Sequence, residues 1–437
     1  MTTTTSKTSD KLSITSIINV VHQEFKRIKD PRGLSGNGQI RFLDHLMSGL
    51  AIFCLKFPSM LQYDQGRKTP SIARNLKSLY KIEQPPSDTY LRERLDELDP
   101  VNLRSTYRKI FALLQRTRRL ESFEFLDGYY LMSIDGTEKF SSSKISCKHC
   151  CTRVSSNGTT RYYHQMLGAA IVHPDQRQVI PLCPEIIQNQ DGHTKNDCER
   201  NAAKRFLENF RREHPHLKVI VVEDGLSSNA PHIAMLEQLG MKYILGAKPG
   251  DHEFLFDTLH NSGETQYLEY RDEAGTLYQY HFINGVSLNK SNPDVKVNVV
   301  EYRETTSTGK ELNFSWVTNI YVTPDNVHKI VQGGRARWKI ENETFNTLKN
   351  FGYGLEHNYG HGKEHLSTVL CLLMVLAFLI DQAQELSCSL FQEVRRVVKT
   401  YRSLWEGMRV IFQYITVGCW QDFYFLLARK KAVPDTS

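Results

Sequence analysis

The 437-residue sequence lacks any apolar run of about 18 residues, the length a helix needs to cross a bilayer. Its longest candidate, Leu366 to Ile380, carries Ser367 and Thr368 and is flanked by His365 and Asp381, so it reads as a buried helix and no membrane is expected. The first ten residues, MTTTTSKTSD, have no apolar segment of the secretory kind, which sets the cytoplasm as the expected compartment. Nine cysteines, an odd number, argue against a disulfide framework and leave thiol or metal roles. No internal repeat and no low-complexity segment beyond the N-terminus is visible, which excludes solenoids and arrays.

What is present is ordinary globular composition: 40% hydrophobic, 10% aromatic and 24% charged residues. A chain of this length predicts two or three structural units. The net charge of +7 is unevenly placed. Met1 to Phe125 holds 21 Lys and Arg against 13 Asp and Glu, and the remainder is almost neutral. A basic segment suits a polyanion, because neutralising phosphates releases condensed counterions, although a solvated basic surface has the same composition.

The pattern of side chains changes twice along the chain. Residues 1–120 read as helical: Leu43 to Leu55 is apolar on one stripe, Ser87 caps an amphipathic run, and Asn102 to Gln115 is a third helix. From Tyr129 strand-forming residues take over, at Tyr129 to Asp135, Gln165 to Val172, Gln178 to Ile187 and Val219 to Glu223, with a helix over Asn196 to Arg212. Pro231 to Leu239 reads as a further helix and Tyr243 to Gly246 as a short strand. Together these predict a mixed α/β sheet over residues 121–250. Four alternating runs between Tyr267 and Tyr321, separated by turn sequences, predict an antiparallel insertion within 251–322. Helices return at 323–350 and again over 351–437.

Three carboxylates stand at structurally telling places. Asp135 ends one apolar strand and Asp224 another, so both project from one sheet edge, a common ligand site in α/β folds. Glu341 lies on a helical run one turn after Arg337, on the same face. Converging carboxylates repel unless a cation joins them, and Mg²⁺ takes carboxylate oxygens together with phosphates. Spacing alone does not separate this triple from the many others among 48 acidic residues.

The local motifs do. Ser133-Ile-Asp135-Gly-Thr, Val221-Val-Glu-Asp224-Gly-Leu and Arg337-Trp-Lys-Ile-Glu341-Asn-Glu resemble the DDE transposases of bacterial insertion sequences, in the group with a β-strand insertion before the catalytic glutamate. The 117 residues from Asp224 to Glu341 leave room for that insertion. The resemblance implies an RNase H-like catalytic core flanked by helical regions, the first of them binding DNA. It implies Asp135, Asp224 and Glu341 as a catalytic triad holding two Mg²⁺ (or Mn²⁺) ions, with Arg337 contacting the DNA backbone. It further implies cut-and-paste transposition of double-stranded DNA, with terminal inverted repeats bound by a homodimer on paired ends in the bacterial cytoplasm and nucleoid. A catalytically inactive DNA-binding relative and a same-fold endonuclease without strand transfer are the alternatives. Two positions depart from the family signature: Gly334 stands where Tyr is frequent, and Leu348 stands where Lys is frequent, with Lys349 one residue later. A one-residue offset turns a helical side chain by about 100°, which puts Lys349 off the expected face. Glu343 rivals Glu341, but the Arg-Trp-x-Ile-Glu register favours Glu341. Trp316 and Trp338 are candidates to stack on a flipped end base, with core packing as the competing role.

Outside these motifs, Cys147-Lys-His-Cys150 has the spacing of half a zinc site. His164 and Cys198, at the starts of the next strand and helix, complete a possible structural Zn²⁺ set, against free thiols on a loop. His357, His361 and His365 recur every four residues, but Gly354, Gly360 and Gly362 interrupt them, so the stretch reads as a loop entering the buried helix and not a metal site. Gln190 to Lys195 reads as a phosphate contact or a capped turn.

Overall fold

The computed structural model describes residues 12–33, 40–192 and 195–429. Six helices come first: α1 (Ile14–Lys26), α2 (Phe42–Cys54), α3 (Met60–Gly66), α4 (Pro70–Tyr80), α5 (Asp88–Asp96) and α6 (Arg104–Arg116). Short polar side chains start several of them. Ser13, Ser59 and Ser87 accept the backbone N–H groups of Ser16, Gln62 and Tyr90 that the first turns leave unpaired.

A twelve-stranded sheet follows. Its strands are β1 (Glu124–Leu126), β2 (Tyr129–Ser142), β3 (Cys151–Val154), β4 (Thr160–Val172), β5 (Ile180–Pro181), β6 (Glu185–Ile187), β7 (Val219–Glu223), β8 (Lys242–Gly246), β9 (Gln266–Arg271), β10 (Leu277–Asn289), β11 (Asn292–Thr305) and β12 (Glu311–Thr318). The main path runs β3-β4-β2-β7-β8-β12-β11-β10-β9, with β1 beside β2 and with β5 and β6 beside β4. Among the described residues, only the β2–β7 and β7–β8 pairings are parallel. The all-buried Val219-Ile-Val-Val-Glu of β7 suits a central parallel strand covered on both faces. The α7 (Lys195–Glu213), α8 (Ala230–Gln238) and α9 (Glu253–Asn261) helices accompany the sheet. The expected insertion continues it: Trp316 on β12 pairs with Gly246 on β8, and β9 to β12 form a meander. The mixed parallel and antiparallel sheet with flanking helices agrees with the expected class.

After the sheet come α10 (Val327–Arg335), a 3₁₀ turn at Ala336–Trp338, a π-helix at Ile340–Phe345, and α11 (Asn346–Asn350). The chain ends in α12 (Leu366–Ser387), α13 (Ser389–Val397), α14 (Tyr401–Tyr414) and α15 (Trp420–Arg429). Among the described residues α12 is the one helix that by length and composition would suffice to cross a membrane, yet its side chains are nearly all buried inside the protein, against α2, α5 and α6.

The basic first region and the last region share this core instead of standing apart at the two ends of the chain. Lys56 reaches Asp381 on α12 at 2.6 Å, and Asn75 on α4 donates to the carbonyls of Phe412 and Ile415 and accepts from Val417 N–H. Trp420 Nε1 donates to Leu79 O at 3.2 Å. A single hydrophobic cluster runs through both helical regions and the sheet.

Candidate active site

Parallel pairing sets the first two carboxylates side by side. Ser133 on β2 lies opposite Val222 on β7, so Asp135 and Asp224 each follow two residues later at one edge. The strand does not end at Asp135 as expected. It runs on to Ser142 against β4, but its parallel neighbour β7 stops at Glu223, and Asp135 emerges where that partner ends. Asp135 Oδ1 accepts the Gly136 N–H at 2.8 Å, and Asp224 Oδ1 accepts the Leu226 N–H at 3.1 Å.

Close approach of backbone and ring holds the third carboxylate's helix against this edge. Gly168 on β4, the register partner of Asp135, has no Cβ, and Phe345 at the end of the π-helix fills the space. Ser133 Oγ donates to the carbonyl of Arg337 at 2.9 Å, tying the 3₁₀ turn to β2. A Cβ on Gly334 would fall inside the indole of Trp316. The residue expected as Tyr is therefore Gly because another aromatic ring, arriving from β12, occupies that volume.

Arg337 joins the acids. Its Nη1 lies 3.3 Å from Asp135 Oδ2 and 2.9 Å from Glu341 Oε1. Glu341, not Glu343, makes the pair with Arg337, which agrees with the Arg-Trp-x-Ile-Glu register. The Asp135 carboxyl is pushed up to about 7, first by burial and further by the charges of Glu341 and Asp224, against the opposing pull of the Arg337 charge and the Gly136 N–H. A buried carboxyl whose charged form is disfavoured by burial and by two neighbouring acids, with oxygen donors only, belongs to a set that a hard divalent cation fits.

A cleft of about 300 Å³ opens beside Asp224, lined by Lys248, Trp316, Arg335, Arg337 and Trp338. The two tryptophans that line it differ in exposure. Trp316 is 5% exposed and stacks on Phe314, a packing role. Trp338 is 47% exposed, with the Arg337 guanidinium 4.5 Å from its ring centre. Lys248 and Arg335 are cleft cations that the sequence did not single out, since they lie in a loop and at a helix end without a motif. Also unforeseen is Glu223 beside Asp224: buried, it pairs with His232 at 2.6 Å, and a charged residue closing an all-apolar strand was its only signal.

The π-helix removes the offset at Lys349. A π-turn holds about one residue more than an α-turn, so it delays the helical phase by one position. Between Glu341 and Lys349 that delay brings residue 349 to the face that residue 348 would occupy in an unbroken α-helix. Leu348 is accordingly fully buried, while Lys349 is half-buried and pairs with Glu356 at 2.9 Å.

A second constellation lies beyond Ser142. Cys147, Cys150, His164 and His361 place their ligand atoms within 4.8 Å of one another, the only such group among the described residues. Cys198 is not in it; its thiol donates to Gly192 O at 3.4 Å. His361, set aside in the sequence as part of a glycine-broken loop, takes the fourth place. The same glycines that end helical periodicity let the loop fold back, and Gly362 adopts φ +70°. In the Gln190 to Lys195 stretch, Asp191 accepts from Gln188 N–H and pairs with Arg205, a turn role. His193 and Thr194 lie outside the described residues.

Two aspartates at one edge of the paired strands β2 and β7, beside an Arg–Glu pair on a helix, form a carboxylate-rich candidate site next to a cleft lined by Lys248, Arg335 and Arg337 and by Glu223, Asp224 and Glu301. The family model for the transposase DDE domain matches residues 141–379, more than half of the sequence and including Asp224, Arg337 and Glu341, and the chain belongs to that family. It is a DDE-type transposase, an enzyme acting on DNA. Among curated proteins none matches. The chain is similar to the cryo-EM structure of a piggyBac transposase synaptic complex with hairpin DNA, at 10% identity and a TM-score of 0.38, over 99% of this chain and 80% of that one.

Proposed function

We propose that this transposase performs cut-and-paste transposition through an RNase H-like core in which Asp135, Asp224 and Glu341 are the catalytic carboxylates. The observation that carries the reading is Arg337 joining Asp135, at one strand end, to Glu341, on the helix, next to the neighbouring strand end from which Asp224 lines the cleft with Arg337. The sheet order supports the core: antiparallel β3, β4 and β2, then β7 and β8 parallel to β2.

The carboxylates would hold two Mg²⁺ (or Mn²⁺) ions, which supply activation of the attacking oxygen and stabilisation of the leaving one. The chain's own residues do the rest. Arg337 would donate to the non-bridging oxygens of the attacked phosphate, which its planar fork matches, and would offset charge as it builds up. Lys349, Lys248 and Arg335 supply further cationic groups along the DNA backbone. Trp338 offers an exposed ring to an unstacked base. The basic helices over residues 12–120 would bind the terminal inverted repeats, with two protomers on paired ends in the cytoplasm.

The test is cleavage of a supercoiled plasmid carrying the source element's two ends, with and without Mg²⁺, in wild type and Asp224→Ala. End-specific double-strand breaks that vanish in the variant while end binding persists support the proposal. Specific binding with no cutting by wild type would identify an inactive relative, and cutting without strand-transfer product an endonuclease; either refutes it.

A further inference from the structure

Cys147, Cys150, His164 and His361 form a set that no part of the transposition chemistry uses. Three segments far apart in the chain meet there: the Cys-x-x-Cys turn between β2 and β3, strand β4, and the loop that follows the helix bearing Glu341. The spacings are specific. The two thiols are 3.8 Å apart, His164 Nε2 lies 3.5 Å from each, and His361 Nε2 lies 3.4 Å from Cys150 Sγ. Tetrahedral zinc, with bonds of about 2.3 Å to sulfur and about 2.0–2.1 Å to nitrogen, requires about 3.8 Å between sulfurs and about 3.5 Å between sulfur and nitrogen. The sulfurs are far beyond the roughly 2.05 Å of a disulfide bond, and both cysteines are free.

The surroundings hold the set in place by other means. Asp96, at the end of α5, accepts the backbone N–H groups of Lys363, Glu364, His365 and Leu366 at 2.8–3.0 Å, which fixes the loop just after His361. Lys148, inside the Cys-x-x-Cys turn, pairs with Glu364, and His149 stacks on His365 at 6.1 Å. Phe140, on β2 beyond Asp135, packs against the His361 ring at 5.2 Å and pairs in register with His164.

We propose that these four residues bind a single structural zinc ion, which clamps the loop after the helix bearing Glu341 to the strands that carry Asp135 and its partner. Two thiolates and two neutral imidazoles fill the tetrahedron, so the site keeps no open position for catalysis. Binding releases the two thiol protons to solvent. The clamp is separate from the carboxylate site and does not depend on the reading of that site.

The test is zinc content of the purified, untagged full-length chain after dialysis, together with the visible spectrum after cobalt exchange, for wild type, Cys147→Ser, His361→Gln and Cys198→Ser. Stoichiometric zinc is expected in wild type and in Cys198→Ser. Cys147→Ser should lose it, and His361→Gln should bind it more weakly by well over the roughly 10- to 100-fold that loss of an outer-sphere partner costs. The cobalt spectrum should show tetrahedral bands of a two-thiolate site, which reports ligand identity even if a variant unfolds. A folded wild type that takes up neither metal, or whose mass shows a Cys147–Cys150 disulfide, overturns the proposal. So does zinc lost in folded Cys198→Ser, or retained at full affinity in His361→Gln.

Discussion

Replacing Gly168 by Ala tests how the helix bearing Glu341 is set against the sheet. A Cβ at that position lies 2.5 Å from Cε1 and 2.9 Å from Cζ of Phe345. Carbon atoms rest at about 3.5–4.0 Å, so the ring must retreat by about 1 Å. Phe345 is only 6% exposed and ends the π-helix that begins beside Glu341, so its retreat carries the helix with it. Overpacking of this size costs about 1–3 kcal/mol, a fall in Tm of only a few degrees for a chain of this length. Function is far more sensitive, because a 1 Å misplacement of a reacting group costs roughly 100-fold in rate. Cleavage should therefore fall by about two orders of magnitude in a variant that remains folded and binds ends. Gly168→Ala combined with Phe345→Leu shortens the ring and should recover most of the loss, a coupling that a double-mutant cycle reads directly. Unchanged cleavage in Gly168→Ala, or a loss that Phe345→Leu fails to relieve, would refute this account of how Glu341 is positioned.

Other perturbations bear on the same frame. Asp96→Ala removes the acceptor of four backbone N–H groups at the start of α12 and should destabilise by about 2–3 kcal/mol in urea titrations. Burial raises the Asp96 carboxyl, but those four N–H groups outweigh it and hold it below the usual carboxylate range. Its stabilisation is thus fully present above the unfolded-state value near 4 and is lost as pH falls through the lower folded value. Wild type should lose this increment in acid unfolding, and Asp96→Ala should show a flatter profile there. Lys56→Met leaves the buried Asp381 without its cation, with the Tyr353 O–H and Gln384 Nε2 as remaining neutral donors, and should cost about 3 kcal/mol or more by the same measurement. Lys349→Ala should weaken end binding and shallow its salt dependence by about one phosphate contact; an unaltered salt slope would remove Lys349 from the DNA interface.

Much of this molecule is legible locally. Val219 to Glu223 is a strand in both readings because an unbroken β-branched run is buried on both faces, and α12 is a buried helix because its side chains are apolar all round. Asp135, Asp224 and Glu341 are singled out by the short motifs around them, which resemble those of the family; Asp224 also follows an apolar strand, and Glu341 an Arg one helical turn earlier. These signals span a few residues, and a few residues are all that side-chain periodicity encodes.

What tertiary structure decided involves partners far apart in the chain. His361 replaces Cys198 beside the two cysteines because a loop two hundred residues on folds over the Cys-x-x-Cys turn, and no local spacing records that closure. Gly334 makes sense only when Trp316 lies above it, and Lys349 returns to the Glu341 face only because the helix widens into a π-turn where Phe345 seats on Gly168. The two ends of the chain share one core because Lys56 and Asn75 find their partners more than three hundred residues later. Periodic burial determines elements, whereas the pairing of elements follows from which volumes and charges remain to be filled once they meet.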